Sequence, residues 1–260
     1  MKSLKIPMTV EEFHLAEVPF GWKDEYFDGF AYITPRSHGV LMRMAVELRQ
    51  VETSSEILPI SETTSEKLSK LFYETFVESV EYCDWKKSEI RKTSVKQITN
   101  FFNGKRGIPQ PDFCKIAVLN NKLVGACLVS KYKYGFKNEI LFVHPNFQRQ
   151  GIGNALVSGV LNDLYNIGEK VFWSEHHICN ELSANWHRKF GFVEVTDITT
   201  ARLRRNYYAH EIYRQEYVGN TKKVMELTAI LDKVEAEVER LEKIEDENFG
   251  AAWLSWKFDF

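Results

Sequence analysis

The stretch PNFQRQGIGNAL, residues 145–156, joins a strand-like segment to a helix-like one. EILFVH precedes it and NALVSGVLNDLY follows, with Gly151 and Gly153 at the junction. The first N–H groups of a helix have no intrahelical acceptor, and the helix dipole leaves partial positive charge there. Such a turn is suited to bind an anion, phosphate above all.

Two common phosphate-binding motifs do not fit this turn. A dinucleotide-binding turn needs GxGxxG, and its third glycine position is Leu156 here. A P-loop needs GxxxxGK followed by Ser or Thr, and no lysine stands at that position. What remains is QxxGxG from Gln148 to Gly153, which by itself suits a phosphate cradle or a plain strand-to-helix turn equally.

Composition limits the class of protein. The chain has 260 residues, 44% of them apolar, so it can bury a normal core as one decorated domain or two small ones. Its net charge is −2, which provides no global basic field for nucleic acid or anionic lipid. We therefore expect a small molecule or another protein as partner, with no nucleic acid and no membrane.

Location and metal content are inferred from patterns that the chain lacks. No apolar run reaches the roughly 18 residues of a membrane span, and the N-terminus has acids where a signal peptide would be apolar, so we predict a cytoplasmic protein. Four cysteines show no CxxC spacing and lie in otherwise apolar sequence: Cys83, Cys114, Cys127 and Cys179. We predict reduced core or near-core thiols and no metal site.

The first half of the chain predicts strands, two helices and strands again. Asp28-Gly29 favours a type I′ hairpin turn, and the alternation from Val40 to Leu48 extends residues 20–52 to a three-stranded antiparallel meander. Helices are expected within 61–76 and over 88–102. Strands at 113–119 and 122–134 flank Asn120-Asn121, and a third strand follows at 138–144.

The second half repeats a strand-to-helix unit. A helix follows the glycine turn and ends at Gly168, a strand covers 170–178, a helix covers 180–190, and 191–203 is predicted to return to a strand. Residues 206–247 form a predicted helical insertion before a last strand at 253–260. A heptad seam in this insertion packs against its own domain or forms a homodimer: Val224, Leu227, Leu231, Val234, Val238 and Leu241.

Two motifs in the second half of the chain resemble those of a known family. VHPNFQRQGIGNALV resembles the acyl-CoA-binding motif of the GNAT superfamily of acetyltransferases, V-x-P-x-[FWY]-[QR]-x-x-G-[IV]-G-x-x-L. NELSANWHRKFGF resembles the family's second motif. The resemblance implies an α+β (α/β) fold, the GNAT fold, with a mixed central sheet and splayed parallel strands. Its core would span 40–205, with a hairpin extension at 1–39 and the insertion and final strand at 206–260.

The resemblance also implies an activity. An acyltransferase of this type moves acetyl from acetyl-CoA, its co-substrate, to a primary amine by direct attack in a ternary complex. The acceptor would be a small-molecule or peptide amine. The alternative is a non-catalytic acyl-CoA-binding regulatory module.

Carried over residue by residue, the resemblance implies a binding strand and a phosphate turn. The pantetheine arm would pair with the strand over 141–143, where the Val143 N–H would face the thioester oxygen. Backbone amides in the turn would hold the pyrophosphate. The implied cofactor-binding residues are Leu141, Phe142, Val143, Gln148, Arg149, Gln150, Gly151, Ile152, Gly153, Asn154 and Asn180.

The resemblance also implies residues that transfer protons, and each of them has an alternative interpretation. Glu139 stands where many family members carry a catalytic glutamate, and its structural alternative is a solvent-facing edge residue; Glu175 is the runner-up base. His187 stands where the family commonly has a tyrosine acid. Either His187 has a raised pKa and remains the acid, or another donor protonates the thiolate, or it has no chemical role.

Three further polar residues allow more than one interpretation. Asn180 would contact the pantetheine and equally suits the N-cap of its helix. His176 and His177 are adjacent on a strand, so they point to opposite faces and do not easily share a metal ion, although one could line the acceptor pocket.

Overall fold

A computed structural model describes residues 4–247, which divide into two compact units: 41–194, and 4–40 together with 195–247. The strands are β1 Leu4–Pro7, β2 Trp22–Phe27, β3 Phe30–Pro35, β4 Gly39–Ala45, β5 Glu56–Pro59, β6 Ile108–Pro109, β7 Lys115–Leu119, β8 Lys122–Tyr132, β9 Gly135–Val143, β10 Val171–His177 and β11 Val193–Glu194. The α-helices are α1 Val10–Leu15, α2 Ser65–Phe76, α3 Lys87–Phe102, α4 Ile152–Asn166, α5 Glu181–Phe190, α6 Ile198–Tyr217 and α7 Thr221–Glu247.

The N-terminal hairpin is confirmed, but the meander prediction is wrong. Asp28 and Gly29 both have positive φ, 49° and 76°, as a type I′ turn between β2 and β3 requires. The third strand of this antiparallel sheet is β1, and its order is β1-β3-β2. β4 belongs to the other sheet, since alternation identifies a strand and leaves its partner open.

The larger sheet is mixed, with the order β11-β4-β10-β9-β8-β7-β5, and β6 pairs with β8. The predicted hairpin between β7 and β8 is confirmed by positive φ at Asn120 and Asn121. Helices α2 to α5 are confirmed as well. Thr64 caps α2 by accepting from the Lys67 N–H at 3.3 Å, and Gly168 follows α4 at φ 79°.

The predicted strand over 191–203 is largely wrong. Only Val193–Glu194 pairs, antiparallel to β4. Asp197 then caps a helix: its carboxylate accepts from the Thr200 N–H at 2.6 Å, and α6 begins at Ile198. A good N-cap outweighs the weak strand preference of the β-branched residues that follow it. The final strand predicted at 253–260 lies outside the described residues.

The heptad seam is used within the chain. α6 and α7 pack against each other, and Leu227 and Val238 on the seam are 5% and 2% exposed. The first of the two readings of the seam therefore holds. A homodimer through 224–241 stays a prediction, as does the domain division at 39/40 and 205/206.

Two neighbouring parallel strands separate almost at once. The ladder between β9 and β10 consists of the pairs Phe136↔Phe172 and Lys137↔Trp173. On the other side of β9, the register against β8 shifts: Asn138 pairs with Val129 and Ile140 with Leu128, which leaves Glu139 as an extra residue. Such a β-bulge bends its strand and strengthens the local twist. The splay expected for this fold is present.

Some chain-wide expectations can be compared with the described residues. Cys114 and Cys127 are buried, as predicted, whereas Cys83 is exposed, so its placement near the core is wrong. Burial raises the pKa of Cys114 to about 12. None of the helices within 4–247 combines the length and the apolar composition that a membrane crossing needs.

The core of unit 41–194 gives a stability prediction. Leu161 on α4 is 0% exposed and Leu182 on α5 is 72% exposed. We expect Leu161→Ala to lower the free energy of unfolding by about 2–5 kcal/mol, because it removes buried contacts and leaves a cavity. The matched change Leu182→Ala should stay within about 0.5 kcal/mol. Urea denaturation followed by circular dichroism measures both, and equal losses would contradict this description of the core.

Candidate functional site

The glycine turn has the backbone that an anion cradle needs. β9 ends at Val143, a 3₁₀ turn covers Pro145–Phe147, and Gly151 forms the N-cap of α4 at φ 79°. Arg149, which is not glycine, also has positive φ, 61°. A residue with a side chain is held there at a cost of about 1–2 kcal/mol, so the turn is kept in an unfavourable conformation by its surroundings.

The amides of this turn are directed outward from the helix end. Ile152, Gly153 and Asn154 form the first helical turn, whose N–H groups have no acceptor within the helix. A Cβ built on Gly153 would lie 3.8 Å from Trp186 Nε1 and 4.0 Å from Val143 Cγ2, which is ordinary contact. Packing among the described residues therefore does not explain the glycine at 153, whereas a ligand lying against the backbone would.

A cavity of about 910 Å³ opens beside the turn. Three cationic side chains line it, Arg49, Arg149 and Lys189, and Glu52 is the one acid among its lining residues. The other lining residues are Gln50, Gly151, Asn154, Ala155, Ser158, Leu182, Asn185, Trp186 and Phe190. The cavity thus combines excess positive charge with an apolar wall.

The apolar wall comes from a stripe on α5. Trp186 stacks on Phe190 with ring centroids 5.2 Å apart, and its Nε1–H donates to Asn154 Oδ1 at 2.8 Å. Leu182 continues the stripe and is exposed. Leu182, Trp186 and Phe190 follow one another at i, i+4 and form a wall of the cavity. Phe190 is only 8% exposed, so the same stripe also packs against the core.

Among the described residues, the last part of β9 pairs with no strand on the β10 side. His144 N–H donates to Val124 O at 2.8 Å, and Val143 lies opposite Gly125. In an antiparallel ladder this makes Val143 and Leu141 non-hydrogen-bonded positions, so their N–H and C=O groups point away from β8. The Val143 carbonyl accepts from Gln148 Nε2 at 3.0 Å. Because the Val143 carbonyl already has this partner, strand-like pairing at Val143 depends on its N–H group.

Glu139 lies in a dense polar network. Its side chain is 5% exposed; Oε1 accepts from Arg106 Nη1 at 3.1 Å, and Oε2 accepts from the Tyr132 hydroxyl at 2.9 Å and lies 3.4 Å from Lys137 Nζ. Lys137 also bridges to the runner-up base Glu175 at 2.9 Å. The structural alternative of a solvent-facing edge glutamate is wrong, because this carboxylate is buried.

His187 is buried in a relay that joins the splayed strands. Cys127 S–H donates to Asn138 Oδ1 at 3.4 Å, and Asn138 Nδ2 donates to Ser174 Oγ at 3.1 Å. The Ser174 hydroxyl lies 2.8 Å from His187 Nε2, and His187 Nδ1 lies 2.8 Å from the Ser183 carbonyl. A carbonyl only accepts, so Nδ1 carries the proton and Nε2 accepts from Ser174.

The relay decides between the readings of His187. Burial lowers the pKa of His187 to about 4, and the neighbouring His176 adds to the shift. The alternative of a raised pKa is therefore wrong: the imidazole is neutral at pH 7 and both of its nitrogens are engaged. These contacts favour a structural role for His187, and a catalytic role for it stays a prediction.

The remaining predicted positions are also located. Asn180 caps α5 by accepting from the Ser183 N–H at 2.9 Å, which confirms the capping role. Its Nδ2 donates to Glu81 at 2.6 Å. His176 is buried and its pKa is lowered by burial, while the His177 ring accepts from the Cys179 N–H. Within 4–247, no cluster of three or more potential metal-ligating side chains occurs.

Several site residues escape sequence reasoning. Arg49 and Lys189 reach the cavity from distant parts of the chain, and no local pattern marks them. Asn138 and Ser174 read as ordinary strand residues. Lys137 was detectable, because residues two apart on a strand share a face and Lys137 is two before Glu139.

The splayed parallel strands β9 and β10 lie in the same unit as a helix start whose N–H groups suit an anion. The family model described as acetyltransferase (GNAT) family matches residues 71–192, and this part of the chain belongs to that family.

Individual relatives are more distant. The chain is 35% identical over 66 residues to the [ribosomal protein bS18]-alanine N-acetyltransferase of Escherichia coli K12, which is 25% of this chain and 40% of that protein's length. The solved E. coli ribosomal-protein-S18-alanine N-acetyltransferase has 17% identity and a TM-score of 0.40, covering 55% of this chain and 79% of that one. The Thermoplasma acidophilum paia N-acetyltransferase with coenzyme A has 16% identity and a TM-score of 0.42, covering 55% and 91%.

The buried imidazole predicts a pH-dependent stability. The folded pKa of about 4 lies below the ordinary value of 6.5, so the unfolded chain binds more protons between them. The contribution is complete above pH 6.5 and is lost as pH falls toward 4. We expect a loss of about 2 kcal/mol of unfolding free energy between pH 7.5 and pH 5 from this group.

Denaturant titrations at several pH values measure this slope. His187→Gln should flatten it between pH 7.5 and pH 5, whatever its effect on absolute stability, while His14→Gln on an exposed position should keep it. An unchanged slope in His187→Gln would contradict the neutral, buried state.

Proposed function

We propose that this chain is an N-acetyltransferase that moves acetyl from acetyl-CoA to a primary amine of a small molecule or peptide by direct attack in a ternary complex. The observation that carries the proposal is the open edge of β9 directly beside the glycine turn. Amides at Leu141 and Val143 suit the pantetheine arm, and the first turn of α4 suits the pyrophosphate.

Charge and shape around the turn support the same ligand. Arg49, Arg149 and Lys189 surround a cavity large enough for the nucleotide end of a CoA molecule, with the Trp186 and Phe190 rings as an apolar wall. Phosphates and a purine call for this combination of cations and aromatic surface. In this proposal the Val143 N–H donates to the thioester oxygen and stabilises the charge that develops there during amine attack.

The relatives' names agree with the reaction class. The E. coli protein is named as acting on an alanine of ribosomal protein bS18. For this chain we propose an amine acceptor and no particular protein. A cytoplasmic location stays a prediction.

A second candidate is the non-catalytic acyl-CoA-binding module, and one observation favours it. The residue at the position of the family's tyrosine, His187, is a neutral, engaged imidazole and offers no acid for the leaving thiolate. A thiol-release assay over polyamines, aminoglycosides, amino acids and short peptides separates the two candidates. Turnover with any of these amines excludes the module.

Binding can be tested with one isosteric change. Asn154→Asp keeps an oxygen for the Trp186 N–H and adds one negative charge in the first turn of α4. A negative charge near a helix N-terminus stabilises the helix but repels phosphate. We therefore expect unchanged or higher stability, and at least tenfold weaker acetyl-CoA binding, which is about 1.4 kcal/mol of binding free energy. Isothermal calorimetry measures the dissociation constant.

The control uses the ligand rather than the protein. S-acetylpantetheine lacks the pyrophosphate, so Asn154→Asp should change its affinity by less than twofold. An equal loss of affinity for both ligands, or no loss of affinity for acetyl-CoA, would contradict a pyrophosphate at this turn. No acetyl-CoA binding by the unmodified protein would overturn the proposed function.

A further inference from the structure

Glu81 occupies a turn that is tied to both splayed strands. It lies in the 3₁₀ turn Val80–Tyr82, between α2 and α3. Its Oε1 accepts from Asn180 Nδ2 at 2.6 Å, and Asn180 opens α5 just after β10 ends. On the other side the ring of Tyr82 packs on Phe76, which packs on Phe142 of β9, with centroids 6.1 and 6.3 Å apart.

Among the described residues, the other carboxylate oxygen of Glu81 has no donor. Oε2 is shielded from solvent and, among the described residues, has no hydrogen-bond partner. An ionised carboxylate only accepts, so a shielded oxygen of this kind has lost its contact with water without gaining a donor, which is unfavourable. Such oxygens are rare in folded proteins and call for an explanation.

A second acceptor oxygen lies near the same turn. The side chain of Gln97 on α3 hydrogen-bonds to Tyr82, and its Oε1 is also shielded and without a donor within 4–247. The exposed ring of Trp85 lies edge-on to Tyr82 at 5.3 Å. Acceptor oxygens beside aromatic faces suit a group with several N–H donors and positive charge, which is a primary ammonium.

Glu139, the glutamate predicted as general base, differs from Glu81 in its hydrogen bonding. Both oxygens of Glu139 are occupied, by Arg106, Tyr132 and Lys137. An amine that approached Glu139 would have to displace one of these donors. Glu175 pairs with Lys137, so of these three glutamates only Glu81 presents a shielded oxygen without a donor.

We propose that Glu81 receives the acceptor amine and takes its first proton, while Glu139 holds the strand bulge together through its ion pairs. The inference rests on the proposed acetyl transfer. The group that Glu81 receives is then a primary amine, which arrives as an ammonium ion.

The proton and electron balance follows from this assignment. An ammonium N–H donates to Glu81 Oε2 and its proton passes to the carboxylate, which frees the nitrogen lone pair. The lone pair forms the N–C bond at the thioester carbonyl, the C–S bond breaks, and the thiolate leaves with the electron pair. The nitrogen's second proton goes to the thiolate, through water or directly, and Glu81 returns its proton to solvent.

The test is Glu81→Gln, with Glu78→Gln as the matched control on an exposed residue of the same connection. With its oxygen kept toward Asn180, the new amide places a donor where the amine needs an acceptor. We expect kcat/KM for the best amine of the panel to fall at least 100-fold, while the acetyl-CoA dissociation constant stays within twofold. Removing the unpartnered charge should leave thermal stability equal or higher. Glu78→Gln should change none of these values.

The outcomes separate the inference from the function that it rests on. A kcat/KM for Glu81→Gln within threefold of the unmodified protein, or a loss of acetyl-CoA affinity equal to the loss of amine turnover, overturns the role of Glu81 and leaves acetyl transfer standing. A larger loss of kcat/KM in Glu139→Gln than in Glu81→Gln, at unchanged stability, returns the role to Glu139. Turnover with none of the amines overturns both.

Discussion

The site depends on the early separation of β9 from β10. After the pairs at Phe136 and Lys137 the two strands no longer share a ladder, and the extra residue at Glu139 bends β9 on its other side. Separation leaves backbone amides without a strand partner, which is costly in a sheet interior unless something else pairs with them. In the proposed function, the amides of the pantetheine arm pair with this edge.

Polar side chains hold the opening in place where the ladder is missing. On one face Asn138, Ser174 and His187 form a buried relay across the gap. On the other face Lys137 connects the bulged Glu139 to Glu175 of β10. Both sets bridge the strands without closing them, since side chains span a wider gap than backbone hydrogen bonds do. A buried network of this kind fixes one geometry because each member is needed by its neighbours.

Several features were predictable from local sequence. Glycine and asparagine at turns, the caps at Thr64 and Asn180, and the helical spacing around α4 all depend on neighbours within a few residues. The same reasoning failed for 198–203, where a cap decided in favour of a helix, and for β4, whose partner strand is set by long-range packing. Leu182 shows a third limit, because an apolar stripe indicates a face and leaves open whether it meets the core or a cavity.

The family motif, the glycine turn and most of the helices and strands can be read from the amino-acid sequence alone, because they follow from short-range backbone preferences and from periodicity. The protonation and the partners of the acidic and basic groups depend instead on tertiary packing. His187 became neutral through burial, Glu139 gained three donors, and Glu81 kept an oxygen with none among the described residues. Desolvation and charge pairing depend on groups brought together from distant parts of the chain, so no local pattern reveals them.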